Sequence, residues 1–320
     1  MKKIPVIIDC DPGIDDVMAL LLAFSRDDLD VKLITTEPGN QTQDKTIYNA
    51  IAFTSYMKQN IEIARGLNDP FFRELEVADK VHGESGLGEV ILPEPTLLES
   101  DRTAINALKE VLTESEEPIV IIATGPLTNI GALLLAHPEV KEKISYISYM
   151  GGAAVAGNMS PFAEFNVYVD PHAADIVFRS GVPIVMSGLD VTHKAYVNMA
   201  ELEKIESMNT DLSEKIGSML RFYINTAKNN DFQDTDFENG IRLHDLCAVS
   251  YVVTPDLFEG EDCFVAVETE GRHTAGATVV DYAYRSGKPH NVKVLHSVDR
   301  EAFVNQFMEA IEKMSNYIGQ

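Results

Sequence analysis

Cysteine is scarce in this chain. Cys10, Cys247 and Cys263 are its three thiols, and none is spaced as a metal or redox motif. An odd count without such spacing argues against a disulfide framework and against a zinc site. Free thiols fit a reducing compartment, so a cytoplasmic location is expected. Cys10 and Cys247 each neighbour a candidate site carboxylate, yet both read best as small buried apolar residues. Long hydrophobic runs are also missing. No stretch approaches the roughly 18 apolar residues of a membrane span. The apolar run near the N-terminus meets carboxylates at Asp9 and Asp11, with no small-residue cleavage site after it, so it reads as a first strand. Positive charge is in short supply, with 26 Lys and Arg against 50 Asp and Glu, a net charge of −24. A chain so acidic repels phosphate backbones, which argues against nucleic acid as a partner. Most of the excess reads as a solvated surface. No internal repeat and no low-complexity segment appears.

What remains is a patterned globular chain of 320 residues, 45% of them hydrophobic. Apolar strand-like runs alternate with helical spacing. Strands are expected at Ile4–Cys10, Val31–Thr36, Pro118–Thr124, Ile144–Met150 and Val182–Ser187. Helices are expected at Val17–Phe24, Thr42–Met57, Leu127–Leu135, Pro171–Ser180 and Ala200–Asn229. Near-continuous apolar strands between helices predict an α/β fold, an open and mostly parallel sheet flanked by helices. No boundary divides it, so one domain over residues 1–320 is expected. Asn68–Pro95 and the polar stretch Asp231–Gly240 read as long loops, which often carry function.

In such sheets ligands bind beyond the carboxyl ends of the strands. The conspicuous residues fall there. The acidic run Asp9-Cys10-Asp11-Pro12-Gly13-Ile14-Asp15-Asp16 follows the first strand. Gly39-Asn40, Thr124-Gly125-Pro126 and Met150-Gly151-Gly152 follow later ones. Four carboxylates in eight residues would raise one another's pKa unless a cation joined them. A hard cation such as calcium takes six to eight oxygens. The tight Pro12-Gly13 turn can bring Asp11 and Asp16 to one point. Acidic residues at a helix start are also stabilised by roughly 0.3–1 kcal/mol without any metal. Taken alone, the run is therefore open between a helix cap and a metal site. An EF-hand loop is excluded by Pro12, Gly13 and the absence of a closing Glu at Leu20. A dehalogenase-type phosphatase shares Asp9 and Asp11 but does not usually carry Gly13.

Six segments in order resemble one family. They are Asp9–Asp16, Gly39–Thr42, Val81–Gly88, Ala123–Asn129, Gly157-Asn158 with Ala163–Asn166, and Leu243–Asp245. The chain resembles the inosine–uridine-type nucleoside hydrolases over roughly residues 3 to 250. The resemblance implies a Rossmann-like core and a homotetramer or homodimer. It implies a ribonucleoside substrate whose N-glycosidic bond is cut by water. It implies calcium (Ca2+) held by Asp11, Asp16, the Thr124 carbonyl and Asp245, with Asp11 also the base that activates water. Asp15, Glu164 and Asn166 would hold ribose hydroxyls, Asn158 the 5′ end, Asn40 the surroundings of the water and Met150 the sugar pocket.

The chemistry suits those residue types. N-ribosidic bonds break through an oxocarbenium-like sugar. Calcium is a weak Lewis acid, so a base beside it is useful. Carboxylate and amide acceptors favour the developing cation. The departing base needs a proton or a donor, and His244 and His82 are the candidates. Lone histidines are more often structural, but His244 adjoins Asp245 and His82 lies in a glycine-rich loop. Phe165 packs against sugar or base if it is not core. Phe232 is a weaker stacking candidate. Glu37-Pro38 and Leu246 depart from the family's usual pattern without removing a ligand. A nucleoside phosphorylase would need cationic phosphate-binding residues, which these segments largely lack. A non-catalytic binding relative would not need Asp11, Asp15, Asp16 and Asp245 together.

Overall fold

A computed structural model describes residues 2–229 and 240–319. Its strands are β1 (Ile4–Cys10), β2 (Leu29–Thr36), β3 (Ile63–Arg65), β4 (Ile119–Ala123), β5 (Ile144–Met150), β6 (Ile184–Ser187), β7 (Tyr196–Val197), β8 (Ile241–Arg242), β9 (Phe258–Cys263), β10 (Val265–Val267), β11 (Thr278–Val280) and β12 (Val292–Val298). The helices on the chain's first half are α1 (Ile14–Ser25), α2 (Gln43–Tyr56), α3 (Asp79–His82), α4 (Ala104–Glu114) and α5 (Thr128–Ala136). The later ones are α6 (Phe165–Val169), α7 (Pro171–Phe178), α8 (Leu189–Thr192), α9 (Met199–Ser207), α10 (Asp211–Asn229), α11 (Leu246–Val253) and α12 (Arg300–Ile318).

Eight strands form the main sheet in the order β3-β2-β1-β4-β5-β6-β12-β9. All neighbours are parallel except the edge pair β12–β9. The expected α/β fold is therefore present, with β9 making the sheet mixed. Period-two alternation explains its two faces. Val6, Ile8, Val120 and Ile122 pack with α1, α11 and α12 on one side. Ile7, Ile119 and Ile121 pack with α4, α5 and α7 on the other. Strands covered on both faces must be apolar throughout, and β4 is buried at every residue.

The chain order reverses at β1, which pairs with β2 on one side and β4 on the other. That is the switch point of a Rossmann-like sheet, where the loops diverge and leave a crevice. The long helix expected at Ala200–Asn229 is two, α9 and α10. Asn209 takes a positive φ of 52° between them, and Thr210 exchanges hydrogen bonds with Ser213 at the start of α10. The extended loop expected at Asn68–Pro95 holds one short helix, α3.

Candidate active site

The site assembles on the carboxyl ends of β1, β2, β4 and β5. Asp9 lies at the end of β1, and the Pro12-Gly13 turn leads directly into α1. The turn folds back because the Gly13 N–H donates to Asp16 Oδ2 at 2.9 Å. The loop after β2 then closes on the run. The Asn40 N–H donates to Asp11 Oδ2 at 2.6 Å, and its amide donates to Asp16 Oδ2 at 2.8 Å. Thr124, just past β4, donates its hydroxyl to Asp16 Oδ1 at 2.8 Å. Glycine makes this closeness possible. A Cβ on Gly39 would collide with Asp11 Oδ2, and one on Gly125 would sit 2.8 Å from Asp11 Oδ1.

Asp245, at the start of α11, comes to the same point. Ligand atoms of Asp15, Asp16 and Asp245 lie within 4.8 Å of one another, all buried. Asp11 stands beside this trio, also fully buried, and its Oδ1 has no hydrogen-bond partner. Burial pushes all four carboxyls above the usual carboxylate range, and repulsion from neighbouring carboxylates adds to it at Asp11, Asp15 and Asp245. Among the described residues, no ion pair to a Lys or Arg is seen at any of the four. Among the described residues lining the cavity above, Lys80 is the one Lys or Arg. Oxygen donors of this number and charge, unneutralised and out of water, fit a divalent cation.

That cavity holds about 620 Å³ and is lined by Asp15, Asn40, His82, Thr124, Met150, Asn158, Glu164, Phe165, Asn166, His244 and Asp245 among others. Thirteen residues were expected at the site; the eleven just named line this space, and Asp11 and Asp16 lie beneath them. Glu164 caps α6, accepting from the N–H groups of Gly152 at 2.9 Å and Asn166 at 3.0 Å. Burial still holds its carboxyl up at about 7. Asn166 donates its amide to the carbonyls of Thr124 at 2.8 Å and Met150 at 3.1 Å. Asn158 Oδ1 accepts from the Phe165 N–H at 2.9 Å. His82 Nδ1 accepts from the Ile14 N–H at 3.0 Å, which places the ring proton on Nε2. Burial pulls His82 down to about 3 and lowers His244 as well, so both rings are neutral. His244 Nδ1 pairs with Thr192 Oγ1 at 2.8 Å. Phe232 lies outside the described residues, as does most of the polar stretch before Ile241.

A family model described as inosine-uridine preferring nucleoside hydrolase matches residues 6–305. This chain belongs to that family. It is a hydrolase of nucleoside N-glycosidic bonds. The hydrolase is 44% identical over 310 residues to the pyrimidine-specific ribonucleoside hydrolase RihA of Salmonella arizonae, covering 97% of this chain and 98% of the relative. It is 43% identical over 310 residues to the protein of the same name from Escherichia coli, with the same coverage. Among solved structures it resembles the purine-preferring ribonucleoside hydrolase from Gardnerella vaginalis, at 31% identity and a TM-score of 0.90, covering 98% of this chain and 99% of the other.

The structure also supplies lining residues that the sequence did not announce. Tyr223 and Thr226 face the cavity from α10, and His193 from the residue after α8. The Tyr223 ring lies 5.5 Å from that of His82. Tyr223 and Thr226 are three apart and so share a helix face, a visible pattern. Nothing in that pattern says the face turns to a cavity instead of the core. Asp9 and Glu37 sit behind the ligand turn, both fully buried. Asp9 accepts from Thr35 and Asn129, and burial raises it to about 6. Glu37 adjoins it, raised further by burial and by Asp9.

Proposed function

We propose that the hydrolase is calcium-dependent and releases ribose from ribonucleosides, pyrimidine ribonucleosides first among them. The observation that carries this is the meeting of Asp15, Asp16 and Asp245, with Asp11 beside them, under a cavity of about 620 Å³ whose described lining holds one Lys and no Arg. Asp11, Asp16, Asp245 and the Thr124 carbonyl would hold the ion, and Asp15 is near enough to share it. Calcium would supply positive charge that neutralises the carboxylates and acidifies water.

The chain's own groups divide the remaining work. Asn40 fixes Asp11 through Oδ2, which leaves Oδ1 unpartnered and ready to take a proton from water. The Asn166 amide is spent on two carbonyls, so its oxygen is the end left for a ribose hydroxyl. Glu164 and Asp15 offer further acceptors at the sugar, and together these oxygens favour the cationic ribose of the transition state. Asn158 and Met150 border the 5′ side and the sugar face. Water oxygen bonds to C1′ as the C1′–N bond breaks, and the departing base takes a proton. Neutral His82 and His244 suit that end of the cavity. Each can donate an N–H without adding positive charge beside the sugar. Phe165 would pack on the sugar.

The choice of pyrimidine rests on the relatives at 43–44% identity. A single domain, a homotetramer or homodimer, and a cytoplasmic location belong to the same proposal. No helix among the described residues is long and apolar enough to cross a membrane. Ribose release from uridine, cytidine and inosine, assayed with calcium, tests the specificity. Uridine and cytidine should turn over at least about tenfold more efficiently than inosine, a difference of 1.4 kcal/mol or more in transition-state binding. An inosine preference would overturn the base assignment and leave the hydrolase reading standing.

A further inference from the structure

Two segments wall the cavity and meet at one end. One is the start of α6, where Glu164, Phe165 and Asn166 stand. The other is the segment Glu76–His82, every residue of which lines the same space. Arg73 lines neither wall, yet it joins them. Its Nη1 donates to the Tyr168 carbonyl at 2.6 Å, and its guanidinium carbon lies 4.7 Å from the centre of the Tyr168 ring. Tyr168 belongs to α6, and its hydroxyl donates to Glu76 Oε1 at 3.1 Å. Just upstream, the Phe71 N–H donates to Asp170 at 2.9 Å.

We propose that Arg73, Tyr168 and Glu76 form a latch that sets the spacing of the two walls, which makes Arg73 a positioning residue for the substrate. The far part of the second wall has other ties. Ala78 bonds the Gly39 carbonyl at 3.2 Å, and Thr226 bonds the Val81 carbonyl at 3.1 Å. The near end relies on Tyr168. Arginine suits the task because one planar group can stack on a ring and donate in plane to a carbonyl at once. Lysine can do one or the other. Neither Arg73 nor Tyr168 contacts the carboxylate floor, so the latch acts on substrate fit and leaves the chemical step alone.

The inference rests on the reading that this cavity takes a ribonucleoside, and its test separates the two. Steady-state ribose release from uridine is measured for wild type, Arg73→Ala, Arg73→Lys and Tyr168→Phe. Hydrogen–deuterium exchange is followed in the same proteins without substrate. Arg73→Ala should raise KM roughly tenfold with kcat within about twofold, the signature of lost uniform binding. Arg73→Lys should fall between it and wild type. Tyr168→Phe, which keeps the ring and carbonyl contacts, should raise KM by about threefold, the value of one solvent-exposed hydrogen bond. Exchange should quicken across residues 76–82 in Arg73→Ala and stay unchanged in α1. An unaltered KM, a loss confined to kcat, or unchanged exchange at 76–82 would overturn the latch. If Arg73→Ala does not fold, Arg73→Lys and Tyr168→Phe decide by the same two readouts. If wild type releases no ribose, the substrate reading fails, and exchange in the free protein still decides whether the latch holds the wall.

Discussion

Asp11 leaves its Oδ1 without a partner at the buried floor of the cavity, beside Asp15, Asp16 and Asp245. An unsatisfied buried carboxylate oxygen costs free energy, so its persistence beside Asp16 marks a group kept ready for a ligand or a proton. Asp9, two residues earlier, also leaves one oxygen unpartnered, but it lies behind the turn, where Thr35 and Asn129 engage its Oδ1 and Glu37 adjoins it. Asp11→Ala should therefore abolish ribose release, a loss of at least about a thousandfold, while the circular dichroism spectrum stays native. Near-normal turnover would remove Asp11 from the base role. The four carboxylates of the acidic run were legible from residue spacing, but their partnership with Asp245 only through the family resemblance. Sequence alone left the run open between a helix cap and a cation site. Asp245 favours the cation site, because the fold carries it across more than two hundred residues to lie within 4.8 Å of Asp15 and Asp16. Glu37 read as a departure from the family's habit; the structure finds it buried beside Asp9, which no local pattern could announce.

Among elements, the strands that hold the site were the most legible, since burial on both faces forces an unbroken apolar run. Ile144–Met150 was expected and observed with the same ends. The helix expected over Ala200–Asn229 was not, because its apolar spacing runs on through the break at Asn209. The lining role of α10 stayed hidden for a similar reason: an amphipathic face looks alike whether it covers core or cavity. One residue ties several elements together. Asp170 caps α7 through the Ala173 N–H at 3.0 Å, accepts from Thr128 at the start of α5 at 3.0 Å, and accepts from the Phe71 N–H at 2.9 Å. Asp170→Ala would strand three buried or half-buried donors at once. It should cost about 3 kcal/mol by urea unfolding, whereas Asp170→Asn should cost about 1 kcal/mol. A loss below about 1 kcal/mol for the alanine variant would show that α7 and the Phe71 segment hold without it.

The whole molecule concentrates a repulsion that the fold alone does not resolve. Asp9 at about 6 and Glu164 at about 7 lie above the values of an unfolded chain, and the four floor carboxyls are raised as well. Raised carboxyls bind protons more tightly in the fold than in the unfolded chain. Their contribution is fully present at acid pH and is lost as pH rises through the folded values. The metal-stripped protein should therefore melt lower at pH 8 than at pH 5, by on the order of 5 °C. Calcium should restore more at pH 8 than at pH 5, since it replaces the missing protons. A metal-free Tm that climbs from pH 5 to pH 8 would contradict this. The most direct measurement is ribose release from uridine by protein stripped of metal, before and after calcium is returned. The buried carboxylate floor predicts no turnover in the stripped protein and full recovery with calcium. Undiminished ribose release without any metal would contradict it.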